Sequence, residues 1–143
     1  MSAAKGARRE RALVNELYDR GWAVVRIPSS GSATERELPD VWAMRNHPDS
    51  FNSIALAIEV KANAGEYVAL DSKEVDDLNT FAARAGPACL PIVATHPDRD
   101  RWHLFTTADL NRRSKGWSVT KAMYPGWPID ALVGMATTEG AST

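Results

Sequence analysis

Apolar and polar positions along the chain follow first a helical and then an extended period. From Ala7 to Arg20, Leu13, Val14 and Leu17 recur at the spacing that gathers side chains on one helix face, and Gly21 supplies a stop. Trp22–Ile27 reads as a strand. Pro28-Ser29-Ser30-Gly31-Ser32 then opens a small-residue loop, expected to be mobile, that lasts to Leu38. A second strand begins at Pro39-Asp40 and runs to Met44, a turn covers Asn46–Ser50, and Ile54–Lys61 is an apolar run suited to a central strand. After a loop at Asn63–Gly65, Asp71 and Glu74 have capping-box spacing ahead of a helix that lasts to about Ala85. Its stripe is Val75, Leu78, Ala82 and Ala85, and Gly86-Pro87 closes it. Leu90–Thr95 and Trp102–Thr106 are two further strands, joined by the polar turn His96–Asp100 as a hairpin.

The order αβββαββ predicts an α/β (α+β) single domain, a mixed sheet with helices packed on it. At 143 residues and 44% hydrophobic, the chain has material for one core. Beyond Thr107 the periodicity weakens. Ala108–Arg113 reads as a short helical turn, Trp117, Trp127 and Ile129 are expected to pack back, and Ala136–Thr143 has the composition of a disordered end. The expected division is therefore a domain over 1–106 and a C-terminal extension over 107–143, partly packed and with a flexible end.

Composition narrows the setting. No apolar run reaches the ~20 residues that span a bilayer, and Lys5, Arg8, Arg9 and Arg11 precede no signal-like stretch, so a cytoplasmic protein without a membrane partner is expected. Cys89 is the only cysteine, which excludes an internal disulfide and suggests a small buried hydrophobe. His47, His96 and His103 lack metal spacing and are expected at the surface or in turns. The net charge of −1 argues against a uniformly basic binder of nucleic acid. Its distribution is uneven, with basic residues concentrated in 1–26 and Glu66, Asp71, Glu74, Asp76 and Asp77 forming an acidic stretch.

The chemistry lies in the central strand. Glu59 and Lys61 are two apart, so alternation points both to one face. An isolated Glu-x-Lys triplet is most often a structural ion pair. Pro39-Asp40 changes the weighing, because pairing of neighbouring strands would set the Asp40 carboxylate beside Glu59. Two carboxylates at one place repel and lose hydration, and a shared divalent cation accounts for them. Oxygen-only ligands favour Mg²⁺ or Mn²⁺ over zinc. With Lys61 available to orient water or stabilise a charged phosphate, the reaction class is phosphodiester hydrolysis.

Pro39-Asp40 followed by Ile58-Glu59-Val60-Lys61 resembles the PD-(D/E)XK nuclease pattern. Residues 5–105 are similar to the archaeal-type Holliday junction resolvases in further blocks: Lys5-Gly6, Glu10-Arg11 with Leu13-Val14, Gly21–Arg26, Pro28-Ser29-Ser30, and Leu78–Phe81 before Ala85-Gly86. The resemblance implies a restriction-endonuclease-like mixed central sheet flanked by helices. It also implies a homodimeric, Mg²⁺-dependent endonuclease of DNA recombination and repair, in which Mn²⁺ can substitute, acting on four-way junction DNA by paired symmetric nicks. Among site residues it implies Glu10, Asp40 and Glu59 as metal ligands and Lys61 and a loop serine, Ser30 with Ser29 and Ser32 as alternatives, as catalytic partners. Lys5, Arg8, Arg11, Arg26 and Ser30 are implied at the DNA, and Phe81 at the dimer interface. The helical wheel agrees on one point, since Glu10 shares the stripe of Leu13, Val14 and Leu17. Against that stand an acid of the helix first turn for Glu10, ion-pairing with Glu16 or Asp19 for Arg11 and Arg26, and plain core packing for Phe81 and the five tryptophans. Such resolvases occur in cells and viruses, so the resemblance does not choose an archaeal, viral or phage-infected host. The rival functions are a nuclease of the same superfamily acting on duplex or flap DNA, a junction-binding architectural protein without cleavage, and a protein-interaction module.

Overall fold

The computed structural model describes residues 2–28, 37–47, 52–61, 67–98, 101–120, 123 and 125–133, with the side chains of 2–5, 67, 97, 98 and 101 excepted. Helix α1 spans Ser2–Asp19 and buries Leu13 and Leu17 completely. It ends where Gly21 turns to a φ of 95°, a value that a side chain would resist, and the Trp22 N–H closes on the Leu17 carbonyl at 3.0 Å. Strands β1 (Ala23–Arg26), β2 (Val41–Asn46) and β3 (Ser53–Lys61) follow as an antiparallel meander. The small-residue loop after Pro28 and the turn after His47 lie largely outside the described residues, as does the expected disordered end.

Next comes β4 (Tyr67–Asp71), then helix α2 (Ser72–Ala85), β5 (Cys89–Asp98) and β6 (Arg101–Thr106). Strand β3 lies parallel to β5, the α2 connection making the crossover, and β6 returns antiparallel. The main sheet is thus mixed, in the order β1-β2-β3-β5-β6. Both helix limits of α2 follow from its sequence signals: Asp71 accepts the Glu74 N–H at 2.8 Å, and Gly86, at a φ of 121°, bonds the Ala82 carbonyl.

The centre of the sheet is covered on both faces. Alternate residues Ile54, Leu56 and Ile58 of β3 share a core with Leu13 and Leu17 of α1, whereas Ala55 and Ala57 face Val75, Leu78 and Ala82 of α2. The α1 side also receives Ile129 and Leu132, so Ile129 does pack back. Cys89 is buried, and burial pushes its thiol up to about 11.

Several features depart from the sequence reading, and Ala85, expected in the α2 stripe, is exposed. Strand β4 was not expected. After Thr106, a one-turn 3₁₀ helix over Thr107–Asp109 stands where a longer helical turn was expected, and β7 (Asn111–Arg113) and β8 (Gly116–Thr120) follow it. Strands β4, β8 and β7 form a second antiparallel sheet that buries Val68, Leu70 and Val119 against the α2 side. Gly116 is required in it, because a Cβ there would run into the Leu70 carbonyl. Finally, His103 is no surface residue: it is 3% exposed in β6, with Nδ1 3.1 Å from the Pro125 carbonyl. A carbonyl only accepts, so the proton sits on Nδ1. No helix among the described residues is long and apolar enough to cross a membrane.

Candidate active site

The β2–β3 ladder ends with Val41 opposite Ile58, which leaves Asp40, just ahead of β2, at the end of β3 that carries Glu59, near enough for the two charges to act on each other. Asp40 is held there on three sides. Its N–H donates to the Ile58 carbonyl at 2.9 Å, its carbonyl accepts from the Ile27 N–H at 2.8 Å, and its Oδ2 accepts the Val60 N–H at 2.9 Å. The last bond takes up a strand N–H for which β2 offers no backbone partner, since the ladder has stopped. By alternation Asp40, Glu59 and Lys61 lie on the face that carries Trp42, Ala55 and Ala57, towards α2. Lys61 Nζ lies 2.7 Å from Glu74 Oε1, in the first turn of α2. From the opposite layer, Glu10 of α1 forms an ion pair with Arg26 of β1 at 2.9 Å.

These charges act on one another. Burial pushes the Asp40 carboxyl up to about 6; the Val60 N–H opposes this, Glu10 adds to it, Lys61 opposes it and Glu74 adds again. Burial pushes Glu59 up to about 8, reinforced first by the Asp40 charge, opposed by Lys61 and reinforced by Glu74 and Glu10. Four acids and one lysine therefore share one field. At neutral pH the Asp40–Glu59 pair holds a proton that two isolated carboxylates would have lost.

Among the described residues no three His, Cys, Asp or Glu side chains close into a metal cage. Magnesium does not need one, because it keeps several waters and is commonly held by one or two carboxylates with substrate phosphate completing the shell. The opposed Asp40 and Glu59, oxygen donors whose mutual repulsion a dication would relieve, fit that ion. They do not fit zinc, as no thiolate or imidazole joins them.

A comparison with known proteins bears on what such a site does. The family described as archaeal Holliday junction resolvase (hjc) matches residues 1–140. The chain belongs to this family. A curated resolvase-family relative, the crossover junction endodeoxyribonuclease Hjc of Archaeoglobus fulgidus, is 33% identical over 122 residues, covering 85% of this chain and 83% of that one. The proteins of the same name from Sulfurisphaera tokodaii and Sulfolobus acidocaldarius are 31% and 34% identical, and each match covers 54% of the relative. Among solved structures, Archaeoglobus fulgidus Hjc, a Holliday junction resolvase from an archaeal hyperthermophile, superposes with a TM-score of 0.76 at 31% identity, over 90% of this chain and 98% of that one. The restriction-endonuclease-like mixed sheet expected from the sequence is therefore this family's fold, and the match runs on through the segment after Thr106.

The residues singled out in the sequence divide into three groups. Asp40, Glu59 and Lys61 come together, and Glu10 is near enough to act on the two acids, although its carboxylate is turned to Arg26. Arg26 thus pairs with Glu10 and not with Glu16 or Asp19; Glu16 binds Arg20 at 2.8 Å. Arg8 and Arg11 are exposed on α1, and Phe81 packs edge-on against Trp42 with ring centres 5.3 Å apart. The Lys5 side chain and Ser30 lie outside the described residues. Glu74 is the residue the sequence reading assigned elsewhere. Asp71 does cap the helix, but the reciprocal half of the capping box is replaced by the bond to Lys61. The sequence signal was present, an acid in the first turn of the helix following Glu-x-Lys, and the cap spacing explained it away.

Proposed function

We propose that this resolvase-family chain cuts four-way DNA junctions by paired, symmetric hydrolysis of phosphodiesters, working as a homodimer in the cytoplasm with one Mg²⁺ at each Asp40–Glu59 pair. The observation that carries the reading is the confrontation of Asp40 with Glu59 on adjacent strand ends, beside a lysine and held by backbone bonds. Such a pair is unfavourable for folding and useful for cation capture. A bound Mg²⁺ would polarise a phosphoryl oxygen and make a coordinated water more acidic.

The chain's own groups do the remaining work. The Val60 N–H leaves one Asp40 oxygen engaged and the other to be shared, Glu59 supplies the second ligand, and Glu10, released from Arg26, is available as a third. Lys61 stabilises the charge that develops on the phosphate. Arg8 and Arg11, on the open side of α1, and Lys5, Ser30 and Arg26 engage backbone oxygens, so junction shape and not base sequence is read.

Two strands must be cut, which a twofold dimer accomplishes with two equivalent sites. The protomer has a surface for this. Over β1 and β2, no described element covers the α2-side face around Val25, 52% exposed, and Met44, 37% exposed, beside Trp42 and Phe81. A second copy covering this apolar face would bury it.

Incubation of the protein with Mg²⁺ and a synthetic immobile four-way junction, alongside linear duplex, flap and Y-shaped DNA at equal concentration, tests the reading. Paired nicks confined to the junction, lost in Asp40→Asn with junction binding retained, support it. Equal cutting of duplex or flap ends would transfer the chain to the rival nuclease class. Binding without cleavage in Mg²⁺ or Mn²⁺ would make it an architectural protein.

A further inference from the structure

Lys61 ends its strand on a flexible four-carbon stem, with Asp40 and Glu59 both close enough to feel its charge. It is held by neither chance nor Glu59. Glu74 reaches across from α2 and takes Nζ at 2.7 Å. The helix does not need Glu74 for capping, since Asp71 satisfies the N-terminal N–H at 2.8 Å. Nor is the carboxylate fully satisfied where it lies. Its second oxygen, Oε2, is buried without a hydrogen-bond donor among the described residues, and its charge adds to the load on both Asp40 and Glu59. A side chain that serves neither cap nor core, and opposes the acids beside it, asks for another reason.

We propose that Glu74 is the positioning residue of the site: it draws the Lys61 ammonium away from Glu59 and holds it where the phosphate must come, leaving the Asp40–Glu59 pair open for the cation. Rigidity comes from below. Val75 and Leu78, on either side of the same turn, are buried in the core between α2 and the sheet, so Glu74 projects from an anchored base. The inference rests on the reading of Lys61 as the site's cation in phosphodiester cleavage.

The test uses Glu74→Ala and Glu74→Gln in the full chain. Glutamine keeps an acceptor oxygen for the ammonium and loses the charge; alanine loses both. Single-turnover cleavage of the junction with Mg²⁺ is expected to slow on the order of 100-fold in Glu74→Ala, the scale of an ångström's misplacement. Junction affinity, measured with Ca²⁺, is expected to stay within about twofold, as the proposal has Glu74 act on Lys61 and not on the DNA. Glu74→Gln is expected to recover most of the rate. Introduced into Lys61→Ala, the alanine change is expected to cost nothing further, since the two act through one group. Heteronuclear NMR of the lysine ammonium groups gives a readout apart from activity: the Lys61 signal, slowed in exchange by its acceptor, is expected in the wild type and Glu74→Gln and lost in Glu74→Ala. Wild-type rates in Glu74→Ala, or equal loss in the alanine and glutamine variants, overturn the proposal. So does a drop in rate matched by a drop in thermal stability, which would make Glu74 structural. If the wild type cuts no junction in any divalent ion, the functional reading fails instead, and the ammonium signal still decides whether Glu74 holds Lys61.

Discussion

Replacing Glu59 by glutamine should make the metal-free protein more stable while abolishing cleavage. In the unfolded chain this carboxyl ionises near its ordinary value of 4.5, whereas in the fold burial and the Asp40 charge hold it protonated to about 8. A group whose native pKa is raised contributes fully below the unfolded value, and that contribution is lost as pH climbs to the native one. At pH 7 the solution lies about 2.5 pH units above the ordinary value, and at about 1.4 kcal/mol per unit the native state forgoes on the order of 3 kcal/mol relative to an unfolded chain free to ionise. Glutamine cannot ionise in either state, so this difference disappears. For a chain of this size, a stabilisation of that order raises Tm by roughly 6–12 °C. Thermal melts followed by circular dichroism in EDTA at pH 5 and pH 7.5 provide the assay. The gap between variant and wild type should be small at pH 5 and open towards pH 7.5. A variant melting at or below the wild type at pH 7.5, or a gap independent of pH, would refute the claim that the Asp40–Glu59 pair is electrostatically unfavourable in the empty protein.

Three other outcomes follow from the same structure. Mg²⁺ should raise Tm more at pH 8 than at pH 6, because below about 8 it must displace a proton from the pair, and Asp40→Asn should erase the effect; differential scanning fluorimetry at fixed ionic strength reads both. Sedimentation velocity should find the proposed dimer in the wild type and a monomer in Val25→Asp, with Tm of the fold little changed, since Val25 is half exposed. Gly116→Ala should cost about 1–3 kcal/mol in chemical denaturation, because the new methyl meets the Leu70 carbonyl and must push β8 from β4.

The parts of the fold visible in the sequence were those with their own periodic signal. Leu13 and Leu17 announced α1, the run from Ile54 announced the central strand, and Asp71 with Gly86 bounded α2. The closeness of Asp40 to Glu59 was legible because a proline-aspartate leading into one strand and a Glu-x-Lys near the end of the next can meet in a meander. Strand β4 escaped because the alternation of buried Val68, exposed Ala69 and buried Leu70 is too short to stand out next to a helix cap. In β7, Asn111, Arg112 and Arg113 are all exposed, so no hydrophobic pattern exists to be read. His103 looked like a surface residue because its acceptor, the Pro125 carbonyl, comes from a segment 22 positions later. Glu74 was misassigned because one spacing serves both a capping box and a reach across to β3; only the third dimension chooses between them.

The pairing of Tyr67–Asp71 with Gly116–Thr120 gives the order of synthesis a meaning. A nascent chain that has left the ribosome only as far as Thr106 already holds Asp40, Glu59, Lys61 and Glu74, yet Val68 and Leu70, just ahead of the helix that carries Glu74, have no strand to lie against. Their partner arrives roughly fifty residues later, a distant contact of the kind that closes late in folding. A DNA-cutting enzyme assembled in this sequence leaves the support for its lysine unfinished until its tail has been made.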